Sequence, residues 1–369
     1  MIVGMAETTM APVLRLGSAL VRAGTCSWTD PTLVKDTDWY PRRSMPAAER
    51  LAFYAARFPV VEADSTYYHP PSHALAEGWV ERTPAGFTMD VKAWSLLTGH
   101  PTKKESLWED LRDELDPESA EKRNVYATHL PEDAQEEAWR RFAEALEPLR
   151  QAGKLGAVLM QYPEWFTPKR ANREELARIR ERWPDLPVSV ELRSNRWWTD
   201  DEQDRTLGVL READLTTVVV DAPPKSGLPT VVAATAPLAI VRFHGRNDEN
   251  WSRKGITAAE RFRYLYDSEE LREWVPRVEQ LADQAEQVHV LMNNCYQDYG
   301  VRNAADLGDL LVEGGAVELE DWVPQVEELA DQAEQVHVLM NNCYQDYGVR
   351  NAADLRDLLV DAGAVELEV

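Results

Sequence analysis

Eight short apolar runs in the chain each end in a polar cluster, and in most of them residues of one parity stay apolar while the other parity turns polar toward the end. This pattern constrains the fold more than any other feature. In Phe58-Pro59-Val60-Val61-Glu62-Ala63-Asp64-Ser65-Thr66 the period of two puts Val61 and Ala63 on one face and Val60, Glu62 and Asp64 on the other. Two carboxylates then point where the interior of a closed sheet would be. The expected strands are Val21 to Trp28, Val60 to Asp64, Phe87 to Lys92, Leu155 to Gln161, Val188 to Arg193, Thr216 to Asp221, Ala239 to His244 and Val288 to Asn293. Helical patterns separate them at Pro46 to Arg57, His73 to Arg82, Asp133 to Ala152, Arg173 to Arg182, Glu202 to Ala213 and Glu269 to Gln287. Strand alternating with helix eight times argues an α/β fold of the (β/α)8 TIM-barrel type.

A barrel of about 250 residues with insertions suits a chain of 369 residues. The remainder is largely a repeat. Residues 273–320 recur at 321–368, shifted by 48, with six differing positions. Solenoids need about three units or more, so this is one duplication of a helix-strand-helix segment or an error of sequence assembly. A barrel needs that segment once. The expected organisation is an N-terminal extension over 1–19, the barrel over 20–320 and an appended copy over 321–369. Its surplus strand, Val336 to Asn341, would have no edge to join and could drive self-association.

Net charge is −24, and residues 271–369 hold 21 acidic and 5 basic side chains, a net of −16. Such a balance disfavours sequence-independent binding to nucleic acid or to anionic membranes. The three cysteines, Cys26, Cys295 and Cys343, include a duplicated pair and form no CxxC motif. A reducing, cytoplasmic setting without disulfides is expected. Residues 1–21 have no basic leader and no run long enough to span a bilayer.

Polar residues at the strand ends would converge on the C-terminal mouth, where active sites of such barrels lie. The expected ring is Thr25, Ser27, Glu62, Asp64, Lys92, Gln161, Glu191, Arg193, Asp221, Arg242, His244 and Asn293. A barrel filled only for stability would carry branched aliphatics there. Glu191 is the expected primary acid or base, Glu62 or Asp64 the second carboxylate, and Lys92 and His244 assist proton transfer. Arg193, Arg242 and Arg246 would hold an anion. Because Glu191 would sit near Glu62 and Asp64 as a like charge, its replacement by Gln is expected to leave the fold intact. A divalent metal on Glu62, Glu191, Asp221 and His244 is a less favoured variant, since one histidine is few and Lys92 with the arginines already supplies positive charge. No cofactor is otherwise expected. Tyr67, Tyr68, His69, Trp197, Trp198 and Trp251 would put aromatics around the mouth, as ligand walls or loop anchors. The long segment 93–134 reads either as a lid or as a solvated helical insertion.

Gly24-Thr25-Cys26-Ser27-Trp28, Tyr40-Pro41, Val61 to Tyr68 followed by Pro71, Val91-Lys92-Ala93, Leu159 to Pro163, Val190 to Arg193, Val241 to Arg246 and Met292-Asn293-Asn294 occur in an order that resembles the YecE-like family, domain of unknown function seventy-two. The resemblance covers about residues 20–315. It implies a (β/α)8 barrel distantly like the xylose isomerase and endonuclease IV folds, and it brings no activity. Cys26 departs from the small residue common in the motif, and the second terminal copy lies outside the pattern. The function expected is acid-base chemistry on a small anionic or sugar-like substrate. The alternative is a protein that binds or processes nucleic acid.

Overall fold

The structure, a computed structural model, describes residues 12–319. Eight parallel strands close on themselves: β1 Ala19–Cys26, β2 Val60–Ala63, β3 Thr88–Lys92, β4 Leu155–Tyr162, β5 Val188–Leu192, β6 Thr216–Asp221, β7 Leu238–Phe243 and β8 Gln287–Met292. The last strand pairs with β7 on one side, Arg242 beside Leu291, and with β1 on the other, Ala23 beside Val290. This is the expected TIM-type barrel. The strand that closes it comes from the first copy of the repeat. Residues 321–368, with Val336 to Asn341, lie outside the described residues, as does most of the N-terminal extension.

Helices cover the outside: α1 Ala47–Ala55, α2 His73–Glu81, α3 Glu132–Ala145, α4 Arg170–Arg182, α5 Gln203–Glu212, α6 Val275–Ala282 and α7 Tyr299–Glu313. Their apolar stripes bury Leu51, Trp79, Phe142, Ile179, Leu210, Leu281 and Leu307 against the outward parity of the strands, Val61, Met89, Met160, Val190, Val241 and Val290. At roughly 1.5–3 kcal/mol per fully buried large side chain, this layer supplies most of the hydrophobic stabilisation. The inward parity forms a separate small cluster of Cys26, Val60, Ala157, Leu159, Val218, Val220, Ile240 and Leu291. That plug fills the middle of the lumen and leaves its upper end to charged groups.

Beneath the plug, His289 on β8 faces Asp90 on β3, its Nδ1 2.9 Å from Oδ2, both residues 1% exposed. A Cβ at Gly156 on β4 would lie 2.3 Å from Asp90 Oδ1, so the pair occupies space that only a glycine leaves open. The 93–134 segment is neither a bare lid nor a helical run. It contains a two-stranded ladder, Thr102–Lys103 with Asn124–Val125, and short helices at Glu109–Asp113 and Pro117–Ala120. Buried Leu107, Leu111 and Leu115 fasten it to the core, which an exposed helix would not do. Among the described residues no helix is long and apolar enough to cross a membrane.

Candidate functional site

Arg242 on β7 is the centre of the mouth. Its Nε and Nη2 each donate to one oxygen of Glu62 at 2.8 Å, a bidentate pair, and its Nη1 donates to Oε2 of Glu191. All three side chains are essentially without solvent contact. The other oxygen of Glu191 accepts from Gln161 Nε2 at 2.9 Å and from Arg193 Nε at 2.7 Å. Burial pushes the Glu191 carboxyl up, but Arg242, His244 and Arg193 together outweigh it and hold the group well below the usual carboxylate range. Glu191 is therefore a fixed anion. A carboxylate held in this way is poorly suited to the primary acid or base role expected of it.

His244 continues the network. Its Nδ1 lies 2.8 Å from Asn293 Nδ2, which as an amide nitrogen can only donate, so the proton sits on Nε2. That Nε2 is 3.2 Å from Glu191 Oε1, in range for an ion pair but outside hydrogen-bond angles. Burial draws the imidazole down to about 4, against the pull of Glu191. The ring is neutral at neutral pH.

Two groups beside this network have opposite tendencies. Burial, followed by the charge of Glu62, raises the Asp64 carboxyl to about 6, with Lys92 and Ser27 pulling the other way. Burial and the nearby Arg242 lower the Lys92 ammonium to about 8. The Lys92 Nζ stands 4.7 Å over the Tyr67 ring and makes no hydrogen bond or ion pair with another described residue. Ser27, expected on the lumen ring, ends β1 at a φ of 109°. This strained conformation breaks the strand alternation next to Asp64.

Four expectations are corrected. Thr25 faces outward, its hydroxyl and backbone nitrogen engaged with Tyr54 on α1 at 3.0 and 2.8 Å. It shares the parity of Val21 and Ala23, and the lumen position belongs to Cys26. Asp221 also faces outward, accepting from the Tyr266 hydroxyl at 2.7 Å and from Trp274 Nε1 at 3.0 Å, because Val218 and Val220 take the inward parity of β6. Arg246 is held by Asp221, Glu270 and Glu273, and Arg242 by two buried glutamates, so neither is free to clamp an anion. With Asp221 turned away, the four-residue metal set is not assembled. Among the described residues no group of three or more His, Cys, Asp or Glu is placed to hold a metal ion.

Sequence reasoning missed other residues. Cys26 donates to Glu62 Oε2 at 3.4 Å, and burial with Glu62 beside it raises its thiol well above the ordinary range, which makes it a poor nucleophile. His100, from the 93–134 segment, packs between Tyr67 at 5.3 Å and Trp165 at 5.8 Å. Burial, then the charges of Lys92 and Arg193, lower it to about 4. Tyr68, expected at the mouth, stands beside Tyr67 and is 63% exposed. The loop after β7 approaches the site through Gly245, whose φ is +80° and where an added Cβ would lie 2.7 Å from Tyr264 Cβ, leaving no room for a side chain.

The sequence matches the family described as "Protein of unknown function DUF72" over residues 22–317. It is 29% identical over 300 residues to the UPF0759 protein YunF of Bacillus subtilis (strain 168), which covers 80% of this chain and 94% of that protein. The crystal structure of a DUF72 family protein from Enterococcus faecalis V583 superposes with a TM-score of 0.64 at 27% identity, over 79% of this chain and 95% of the other. One from Thermotoga maritima MSB8 does so with a TM-score of 0.61 at 28% identity, over 79% and 99%.

Proposed function

The chain belongs to the DUF72 family of proteins of unknown function, and from that premise we propose that it is an enzyme moving protons on a small anionic or sugar-like substrate at the C-terminal mouth of its barrel. One observation carries this reading: a carboxyl raised to about 6 and an ammonium lowered to about 8 share one mouth, on either side of neutral pH. Groups tuned to the working pH are the most effective proton donors and acceptors, and opposed environments mark such assignments. Asp64 is the base and Lys92 the acid. The Lys92 ammonium, without a hydrogen-bond acceptor among the described residues, is available to a substrate oxygen. The Arg193 guanidinium, aligned by Glu191, binds the substrate without exchanging protons with it, and neutral His244 lies buried beside Glu191. Gln161 and Asn293 fix those orientations.

The experiment is incubation of the full chain in D2O with a panel of small phosphorylated and sugar-derived compounds, reading loss of carbon-bound protons by NMR. Exchange or turnover is expected with at least one, falling by about a hundredfold or more in Asp64→Asn and in Lys92→Met. Undiminished exchange in both variants refutes the assignment.

A further inference from the structure

A second cavity, about 780 Å3 in volume, opens beside the mouth between the loops that follow β4, β5, β6 and β7. Its lining is unlike the rest of an acidic chain. It carries Lys169, Arg196, Lys225, Arg253, Lys254 and Arg261 against one carboxylate, Glu164. None of the six forms an ion pair with a described residue. Where three of them are hydrogen-bonded, the partners are neutral: the Lys225 Nζ donates to the Asp248 carbonyl, Arg253 to Asn250 Oδ1 and Arg261 to the Arg253 carbonyl. Elsewhere among the described residues arginines such as Arg140, Arg141 and Arg182 are spent on glutamate or aspartate. Six unpaired cations facing one space repel one another, and a protein that keeps them so has a use for an anion there.

The loops that carry them are tied together rather than loose. Asp248 Oδ1 accepts from the Lys225 backbone nitrogen at 2.8 Å, joining the loops after β6 and β7. Two tryptophans complete the walls. Trp165, 62% exposed, rests on His100, and Trp251 lies 6.1 Å from the His244 ring. Each wall is thus in contact with a histidine of the mouth. Arg193 bridges the two spaces, with Nε on Glu191 and the same guanidinium lining the cavity.

We propose that this cavity is the binding site for the anionic portion of the substrate, and that the substrate is a small molecule bearing two or more phosphate groups and a ring. The proposal rests on the acid-base reading above and names its substrate class. The charge count sets the number of phosphates, since one phosphate dianion would balance only two of the six cations. Size favours a small molecule, because 780 Å3 lies within the range of small-molecule sites of about 300–1,000 Å3. The tryptophan faces take the ring, and its reacting carbon comes to the Asp64 and Lys92 side of Arg193.

The test is calorimetric titration of the full chain with pyrophosphate, which has no carbon-bound proton and so reports binding without reaction. Saturable binding to one site is expected, tighter than that of inorganic phosphate by about tenfold or more, and weakened by at least about tenfold in an Arg196→Ala, Lys254→Ala double variant. Both residues are exposed and without charged partners, so the melting temperature of the unliganded variant should match the parent. Asp64→Asn should bind pyrophosphate undiminished. Absent or unsaturable binding overturns the proposal, as does equal binding by the double variant. Saturable binding of a single-stranded oligonucleotide that excludes pyrophosphate would also overturn it, in favour of a nucleic-acid site. If pyrophosphate fails while D2O exchange on an uncharged sugar succeeds, the substrate class falls and the acid-base reading stands.

Discussion

Glu62 and Arg242 face each other across the barrel lumen as a planar pair, with both oxygens of one taking Nε and Nη2 of the other at 2.8 Å. The remaining guanidinium nitrogen, Nη1, goes to Glu191, so one arginine balances two buried carboxylates. A buried ion pair gains little over an apolar filling, but removing one partner leaves uncompensated charge in a low dielectric. Arg242→Met should therefore destabilise the barrel by about 3–5 kcal/mol in denaturant unfolding at neutral pH. The loss should shrink on acidification, because protonating the abandoned glutamates relieves it. An equal loss at pH 5 and pH 8 would show that packing, not charge, is at stake.

Glu191→Gln follows from the same geometry. Like-charge repulsion from Glu62 and Asp64 predicted a neutral substitution, but Arg242 lies between the carboxylates and reverses the sign. The variant leaves Arg242 and Arg193 short of a countercharge, and a cost of roughly 2–4 kcal/mol is expected by the same unfolding measurement. A variant as stable as the parent would restore the sequence-based view.

The pH dependence separates Asp64 from Lys92. The carboxyl moves from an ordinary 3.8 to about 6, so between those values the folded chain keeps a proton that the unfolded chain has lost, and stability falls as pH rises through that window. Asp64→Asn should thus gain on the order of 1–3 kcal/mol at pH 7–8 and nothing below about pH 4. The ammonium moves from 10.5 to about 8, so the unfolded chain holds the extra proton between those values and stability rises with pH there. Lys92→Met should flatten that rise. Melting curves at pH 4–10 decide both, and a destabilised Asp64→Asn at pH 8 would count against a disfavoured charge at that site.

For His244, burial lowers the imidazole from 6.5 to about 4, so the folded chain binds fewer protons than the unfolded chain in that window and stability is lost as pH falls through it. The Asn293 contact fixes which nitrogen carries the proton. Nitrogen-15 NMR should report a neutral ring protonated on Nε2 at pH 5.5. A doubly protonated ring at that pH would make His244, not Lys92, the acid of the site.

The sequence carried the barrel because strand parity is a local property. Glu62, Lys92, Glu191 and Arg242 were placed in the lumen from alternation alone, and they lie there. Alternation failed where a strand end departs from it. Ser27 at φ 109° departs from the alternation of β1, whereas Thr25 and Asp221 keep to it and face outward because Cys26 and the Val218 and Val220 pair hold the inward parity. Pairing was harder to read than position. Whether Arg242 meets an anion or a glutamate depends on β2 and β5 meeting β7 across the lumen, a relation between residues 51 and 180 positions apart. The cations of the side cavity follow the same rule, since Arg196, Lys225 and Lys254 look unrelated until the barrel closes.

Barrel closure also governs the duplicated tail. The strand of the first copy, Gln287–Met292, is hydrogen-bonded to β7 and to β1 and so fills the eighth place in the parallel barrel. The second copy would also have to close a longer loop for the same contacts. We therefore expect residues 321–369 to be unnecessary for the fold and for ligand response, and the apolar Val-His-Val-Leu-Met run of the second copy to promote association between molecules. A chain ending at Glu320 should melt as cooperatively as the parent, bind pyrophosphate equally, and elute more uniformly as a monomer in size-exclusion chromatography. A chain lacking 273–320 instead must build β8 from the second copy, at the cost of the six differing positions, and should be no more stable than the Glu320 chain. If the Glu320 chain fails to fold while the internal deletion succeeds, the second copy is the one that closes the barrel.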